Sequence, residues 1–145
     1  MSIPPPHAVA RYHAGDKTLE VSCDVAPAAL RVSVGTVTFL FSADRVLVGI
    51  DAYTNSERWA RQTLVYPTPA ATGAAKSEGM FDDHGIAPSS QGPVDFVYDE
   101  QAGVLKLEME GSVDLFARVL SCVLLGLDHE GQPVEVWLEG VHVDG

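Results

Sequence analysis

The sequence is poor in basic residues and has no long apolar run, and each shortage excludes a class of protein. The 9 Lys and Arg residues stand against 20 Asp and Glu, a net charge of −11. The chain therefore lacks the cations that hold nucleic-acid phosphates or anionic membrane surfaces. No apolar run approaches the length of about 18 residues that a membrane-spanning helix needs. We expect no nucleic-acid partner and no membrane partner.

Cysteine is also scarce. Cys23 and Cys122 are too few for a disulfide scaffold, and we expect two buried free thiols. The first six residues have neither the basic region nor the apolar region of a secretory signal peptide. These two features predict a cytoplasmic protein.

The acidic residues are concentrated in the last third of the chain. Residues 94–145 hold eleven acidic residues against Lys106 and Arg118, a net charge of −9, whereas residues 1–52 and 53–93 each carry −1. Hydrophobic residues make up 46% of the 145 positions, which is typical of a chain with a packed core. The composition predicts one compact domain with an asymmetric charge.

Apolar and polar residues alternate along most of the chain. Leu19, Val21 and Cys23 alternate with polar residues, and so do Leu105 and Leu107 in the last third. Successive side chains of a strand point to opposite faces, so this pattern indicates antiparallel strands with one buried face. We predict a mainly β fold, in which antiparallel meanders form a small sandwich or half-barrel.

One segment departs from the strand pattern. Thr54-Asn55-Ser56-Glu57 fits a capping box, in which Thr54 caps the first helical turn and Glu57 reaches back to it. The residues that follow lack period-two alternation. We therefore predict one short helix near residues 55–63, with Trp59 at the end of the sheet.

The two ends of the chain resemble each other. Residues 12–21 align with residues 98–107 at an offset of 86, and the later apolar runs follow in the same order at nearly the same offset. Such self-similarity predicts a tandem repeat. We expect a first β-repeat with the short helix over 1–66, a linker rich in Pro, Ala, Gly and Ser over 67–93, and a second, acidic β-repeat over 94–145, all within one compact domain.

Both repeats carry motifs of a known family. The second repeat opens with Tyr98-Asp99-Glu100-Gln101-Ala102-Gly103-Val104-Leu105, and the first closes with Asp44-Arg45-Val46-Leu47-Val48-Gly49-Ile50-Asp51. These motifs resemble DUF2283, a family of small bacterial β-rich domains of unknown function, in two divergent tandem copies. The first copy departs from the family pattern because no Asp follows Tyr12. The resemblance implies a β-rich fold and supplies no catalytic residues; some members look like partners of small toxin-like proteins.

The carboxylates of the second repeat form the leading candidate site. If the sheet buries its Leu and Val face, most of these carboxylates share the other side. An anionic surface of this kind attracts a basic protein and speeds its encounter. We predict a non-enzymatic interaction protein of immunity- or antitoxin-like type, with the partner-binding residues Asp95, Asp99, Glu108, Glu110, Asp114, Glu135 and Glu139.

Two other function classes stay open. A small-ligand-binding module would have its pocket between the two repeats, closed by the 67–93 loop and by Trp59 or Trp137. A metal-dependent enzyme would use Asp82, Asp83 and His84, because imidazole and carboxylate ligands suit first-row metals. The sequence contains no nucleophile elbow, phosphate loop or HExxH spacing, so we predict no catalytic residue and no cofactor. The oligomeric state stays open as well.

Overall fold

The chain folds into two β-sheets that pack face to face, as a computed structural model of residues 5–23, 26–73 and 93–143 shows. The mainly β class and the sandwich-like arrangement predicted from the sequence are confirmed. In the part of the chain that the structure describes, both sheets are open, with an edge strand on each side. In these three ranges no helical segment has the length and apolar content that crossing a membrane requires.

The first sheet contains five antiparallel strands in the order β1-β2-β5-β4-β3. Its strands are β1 (Ala8–His13), β2 (Thr18–Cys23), β3 (Leu30–Val34), β4 (Val37–Phe41) and β5 (Leu47–Tyr53).

The second sheet contains seven strands in the order β6-β8-β9-β12-β11-β10-β7. Its strands are β6 (Ala60–Arg61), β7 (Ala71–Thr72), β8 (Asp95–Asp99), β9 (Val104–Glu108), β10 (Leu115–Leu120), β11 (Val123–Leu127) and β12 (Pro133–Glu139). The two short edge strands pair in parallel with their neighbours, β6 with β8 and β7 with β10. The five central strands pair antiparallel with one another.

The five strands of the first sheet and the five central strands of the second follow the same spatial order. Their pairing registers are related by a shift of 86 residues along β1, β2, β4 and β5. Thr18 pairs with Tyr53, for example, and Val104 pairs with Glu139. The register also shifts at equivalent points in the two sheets, at Leu40 and Phe41 in the β4–β5 pair and at Gly126 and Leu127 in the β11–β12 pair. Each position on these strands therefore has an equivalent 86 residues later on the same face.

The predicted helix near residues 55–63 is shorter than expected, a single 3-10 turn at Ser56–Arg58. Asn55 caps this turn in place of Thr54, through its Oδ1, which accepts an amide hydrogen bond at 3.1 Å. The Thr54 hydroxyl oxygen instead accepts a hydrogen bond of 2.7 Å from the indole of Trp59. Trp59 is buried with extended backbone angles, which end the turn and lead the chain into β6. Burial of the indole therefore overrides the helical signal of the capping box.

The core lies between the two sheets and draws on both. Leu19 and Ile50 of the first sheet and Leu105 and Leu138 of the second have no exposed surface. These residues are the apolar members of the alternating runs, so the buried face predicted from the period-two pattern is confirmed. Burial of apolar surface from both halves is the main force that holds the sandwich together.

A strap crosses the outer face of the second sheet. It consists of residues 62–70, which connect β6 at one edge of the sheet to β7 at the other. Leu64 and Tyr66 of this strap pack on a second small apolar cluster formed by Val104, Leu124 and Trp137. The predicted linker over 67–93 thus begins as part of the sheet assembly, and residues 74–92 lie outside the described ranges.

Candidate functional site

Five of the predicted partner-binding carboxylates gather at one end of the second sheet. The first residues of β8, β10 and β12 lie beside the last residues of β9 and β11, because paired central strands run in opposite directions. We call this region the acidic end, and it holds Asp95, Glu108, Glu110, Asp114 and Glu135.

Three of these carboxylates form a row across neighbouring strands. Asp95 of β8 pairs in register with Glu108 of β9, and Glu108 pairs with Glu135 of β12. Like charges directly opposite on paired strands destabilise a sheet. The row therefore places negative charge where folding by itself disfavours it.

The local hydrogen bonds and ion pairs offset part of this repulsion. Lys106 forms an ion pair with Glu108, and the indole Nε1 of Trp137 donates a hydrogen bond of 2.9 Å to Glu135. The Lys106 ammonium also lies over the Trp137 ring, 5.2 Å from its centroid. Lys106 thus pairs with the middle carboxylate of the row, and Asp95 at the end of the row is exposed.

The remaining acidic-end residues are also accessible. Glu110 and Asp114 are exposed in the segment between β9 and β10. Asp128, in the turn between β11 and β12, differs because its Oδ1 accepts amide hydrogen bonds from Gln132 and Glu130, both at 2.9 Å. These bonds lower the pKa of Asp128, so its charge stabilises the turn.

Asp99 and Glu139, the other two predicted partner-binding residues, lie at the opposite end of the sheet. Asp99 is buried and accepts amide hydrogen bonds from Leu64 at 3.0 Å and from Ala102 at 3.2 Å. These two bonds lower the pKa of Asp99. Because Leu64 belongs to the strap, the Asp99 carboxylate holds the start of the strap against the sheet.

Glu139 fixes the middle of the strap through Arg118. The guanidinium donates to Glu139 Oε2 at 3.1 Å and to the Tyr66 hydroxyl at 3.3 Å. Burial and the nearby Glu139 raise the pKa of Tyr66 to about 12, although the hydrogen bond from Arg118 opposes them. The structure therefore separates Asp99 and Glu139, which position the strap, from the five carboxylates of the acidic end.

The two tryptophans suggested for a ligand pocket lie on different faces of the second sheet. Trp59 belongs to the core between the sheets, where it contacts Tyr12 and Tyr98. Trp137 lies on the outer face beneath the strap, with its ring centroid 5.6 Å from that of Tyr66. The structure does not bring the two tryptophans together.

The outer face of the second sheet is partly apolar, whereas the sequence pattern predicted a polar, anionic face. Val123-Leu124-Leu125 is an unbroken apolar run, which is typical of a strand buried on both faces. That run was the signal that something covers the outer face. The strap provides the cover, and the seven predicted partner-binding carboxylates lie at the two ends of the sheet.

A cleft of about 440 Å³ opens on the outer face of the first sheet, and no sequence motif pointed to it. Its lining includes Glu20, Asp51, His13 and Tyr53. Glu20 and Asp51 pair directly across β2 and β5. The offset of 86 aligns Glu20 and Asp51 with Lys106 and Trp137 of the second sheet. That difference in residue type is the sequence signal that could have indicated the cleft.

The metal candidates Asp82, Asp83 and His84 lie outside the described residues. Within the described ranges, no three His, Cys, Asp or Glu side chains group in a way that could hold a metal ion.

No protein-family model matches this chain, and no curated protein matches it. The resemblance to DUF2283 therefore stays a prediction.

Proposed function

We propose that this chain is a non-enzymatic binding protein whose acidic end docks onto a basic protein. The observation that carries the proposal is the in-register row of Asp95, Glu108 and Glu135. A row of like charges opposes folding, so its presence supports a role outside folding.

The charge distribution fits this role. The last third of the chain holds eleven acidic residues against two basic ones, and Lys106 is the cation beside the row. A one-signed patch of this kind raises the local concentration of an oppositely charged partner and speeds association. It also discriminates against anionic partners, because like charges brought together at an interface cost several kcal/mol.

The acidic end also offers apolar contact area. Leu115, at the start of β10, is 37% exposed and directly follows Asp114. Protein interfaces combine an apolar centre with a polar rim. A partner with basic residues around an apolar side chain would fit this surface.

An immunity- or antitoxin-like role is the specific form of the proposal. Inhibitors of nucleases often present carboxylates where the phosphates of a nucleic acid would bind. The equivalent order and register of the two sheets support a tandem repeat of one unit, as in the resemblance to DUF2283. Both cysteines are free, which supports a cytoplasmic location where thiols stay reduced.

The test is a pull-down, in which this chain retains a protein from an extract of its source cells, followed by measurement of the association rate of the two proteins. The variant Asp95→Asn/Glu110→Gln/Asp114→Asn neutralises three exposed residues of the acidic end. We expect the wild-type chain to retain a basic protein. We expect the variant to bind it with an association rate about tenfold lower and with a weaker dependence on salt.

A matched variant removes the same charge elsewhere. Asp44→Asn/Glu57→Gln/Glu100→Gln changes three exposed residues outside the acidic end. This variant should retain the wild-type association rate. Equal rates for both triple variants, or retention of an acidic protein in place of a basic one, would contradict the proposal.

A further inference from the structure

The cleft on the first sheet and the strap-covered groove on the second sheet occupy equivalent positions. Thr18, Glu20, Thr38 and Asp51 face the cleft. Their equivalents 86 residues later are Val104, Lys106, Leu124 and Trp137, of which Val104, Leu124 and Trp137 lie beneath Leu64 and Tyr66 of the strap. The fold thus forms the same groove twice, and the strap fills one copy.

The two copies differ in chemistry. In the second sheet, Val104, Leu124 and Trp137 line the groove, and the side chains of Leu64 and Tyr66 fill it. In the first sheet the equivalent positions are two hydroxyls and two carboxylates. An occupant of the first groove must therefore be polar and must carry positive charge.

The carboxylates of the cleft repel each other although two arginines lie near them: Arg11 pairs in register with Glu20, and Arg31 lowers the pKa of Asp51. Glu20 and Asp51 are directly opposite in register, and the nearest ion-pair contact of Glu20 is His13, at 3.8 Å between Nε2 and Oε2. Burial and the charge of Glu20 raise the pKa of Asp51, and Arg31 opposes them only in part. Bringing a cation between the two carboxylates would relieve this repulsion.

An exposed aromatic ring lies beside the two carboxylates of the cleft. Tyr53 ends β5 at the edge of the cleft, next to the Thr18 position, and is 61% exposed. An exposed large aromatic beside two carboxylates is a typical way to hold an organic ammonium group, through its face and through charge. The cleft volume of about 440 Å³ lies in the range of small-molecule sites.

We propose that the cleft on the first sheet binds a small organic amine, with Glu20 and Asp51 on its ammonium groups and the ring face of Tyr53 against one of them. Thr18 and Thr38 also line the cleft, and Thr38 Oγ1 lies within hydrogen-bond distance of Ser33 Oγ, at 3.0 Å. The acidic end lies on the other sheet, so this site works independently of the proposed partner surface.

Spermidine is the probe that tests the proposal. Titration of the isotope-labelled chain, followed by backbone amide shifts, should saturate with one spermidine per chain and with shifts confined to the first sheet around Glu20, Thr38 and Asp51. About 0.15 M salt screens long-range attraction, because the Debye length there is about 8 Å. Shifts centred on the acidic end would overturn the proposal.

Two variants test the residues. Glu20→Gln/Asp51→Asn keeps the shape of both side chains and should weaken spermidine binding about tenfold, since each lost charge-assisted contact costs more than a neutral one. Tyr53→Leu should weaken it several-fold by removing the ring face. Both variants change exposed residues, and a native-like amide spectrum verifies that each remains folded.

The matched control is Asp95→Asn/Glu110→Gln, which removes the same charge from the acidic end. It should leave spermidine affinity nearly unchanged. Equal weakening by both double variants would mean that spermidine binding depends on net charge alone.

Two other ligands test the chemistry of the site. Saturation of the same amides by magnesium chloride without spermidine would indicate an inorganic cation site. Tighter binding of trilysine than of spermidine would indicate a peptide site. Each of these three outcomes overturns the proposal.

Discussion

Tyr12 and Tyr98, 86 residues apart, hold equivalent positions and meet at the same indole. Their rings lie edge-on to Trp59 at centroid distances of 4.9 and 5.3 Å. Each hydroxyl donates to a backbone carbonyl beyond the last strand of its own sheet, Tyr12 to Thr54 at 2.8 Å and Tyr98 to Val141 at 2.7 Å. Both halves of the chain thus contribute the same kind of side chain to one buried aromatic cluster in the core.

Removing the two hydroxyls should not have equal effects. The Tyr12 hydroxyl also accepts a hydrogen bond from the Ser56 amide at 3.0 Å, so Tyr12→Phe leaves two buried groups without this partner, whereas Tyr98→Phe leaves one. Each unsatisfied buried group costs about 1–3 kcal/mol. Urea unfolding should show a larger decrease in the free energy of unfolding for Tyr12→Phe. A decrease for Tyr98→Phe that equals or exceeds the one for Tyr12→Phe would contradict these hydrogen-bond assignments.

Asp99→Asn should loosen the strap. The side-chain amide cannot accept both hydrogen bonds that the carboxylate receives from Leu64 and Ala102. Hydrogen exchange at the Leu64 amide should therefore accelerate in the variant. Asp95→Asn, an exposed change on the same strand, should leave this exchange rate as it is in the wild type.

The same contact should respond to acid in the wild-type chain. The folded-state pKa of Asp99 is lowered, so its stabilising effect is present above the unfolded pKa of about 3.9 and is lost as pH falls through the folded value. Protection of the Leu64 amide, corrected for intrinsic exchange, should decline below about pH 4. If Asp99→Asn shows the same decline, another group is responsible.

Asp51→Asn should stabilise the chain at neutral pH. The folded-state pKa of Asp51 is raised by burial and by Glu20, so the ionised carboxylate disfavours the folded state once the pH exceeds that pKa. The thermal midpoint of the variant should exceed that of the wild type at pH about 7, and the gain should vanish below about pH 4, where the acid is protonated in both states. Asp44→Asn, which removes a charge from an exposed turn, serves as the control. A gain that persists in acid would contradict the electrostatic explanation.

The two thiols should differ in reactivity. Burial raises the pKa of the Cys122 thiol to about 11, and Cys23 is only half-buried at the end of β2. Since the thiolate is the reactive form, iodoacetamide at about pH 8 should label Cys23 well before Cys122. Both should react at similar rates in urea. Mass spectrometry of the folded chain would contradict this prediction if Cys122 were labelled first.

Much of the fold was predictable because strand alternation is local. Leu19, Leu105 and Leu107 were expected on a buried face and have no exposed surface. The edge strands β6 and β7 were not predictable, because two residues carry no periodicity. The capping box at residues 54–57 predicted more helix than forms, since a local signal competes there with the burial of Trp59.

The candidate site was predictable only in part. The concentration of carboxylates in residues 94–145 is a property of the sequence, but their division into the acidic end and the strap contacts is not. Asp95 and Asp99 lie on the same face of the five-residue strand β8. Asp99 is nevertheless buried under the strap, whereas Asp95 is exposed. That difference arises from Leu64, which is 35 residues away in the chain.

The amino-acid sequence alone determined the β class, the buried face of each strand and the excess of negative charge, because the period of side chains along a strand and the identity of each residue are local. The tertiary structure decided which carboxylates meet, which groove the strap fills and which groove stays open. Those outcomes depend on strand pairing and on contacts between residues far apart in the chain, and neither is encoded in any short segment.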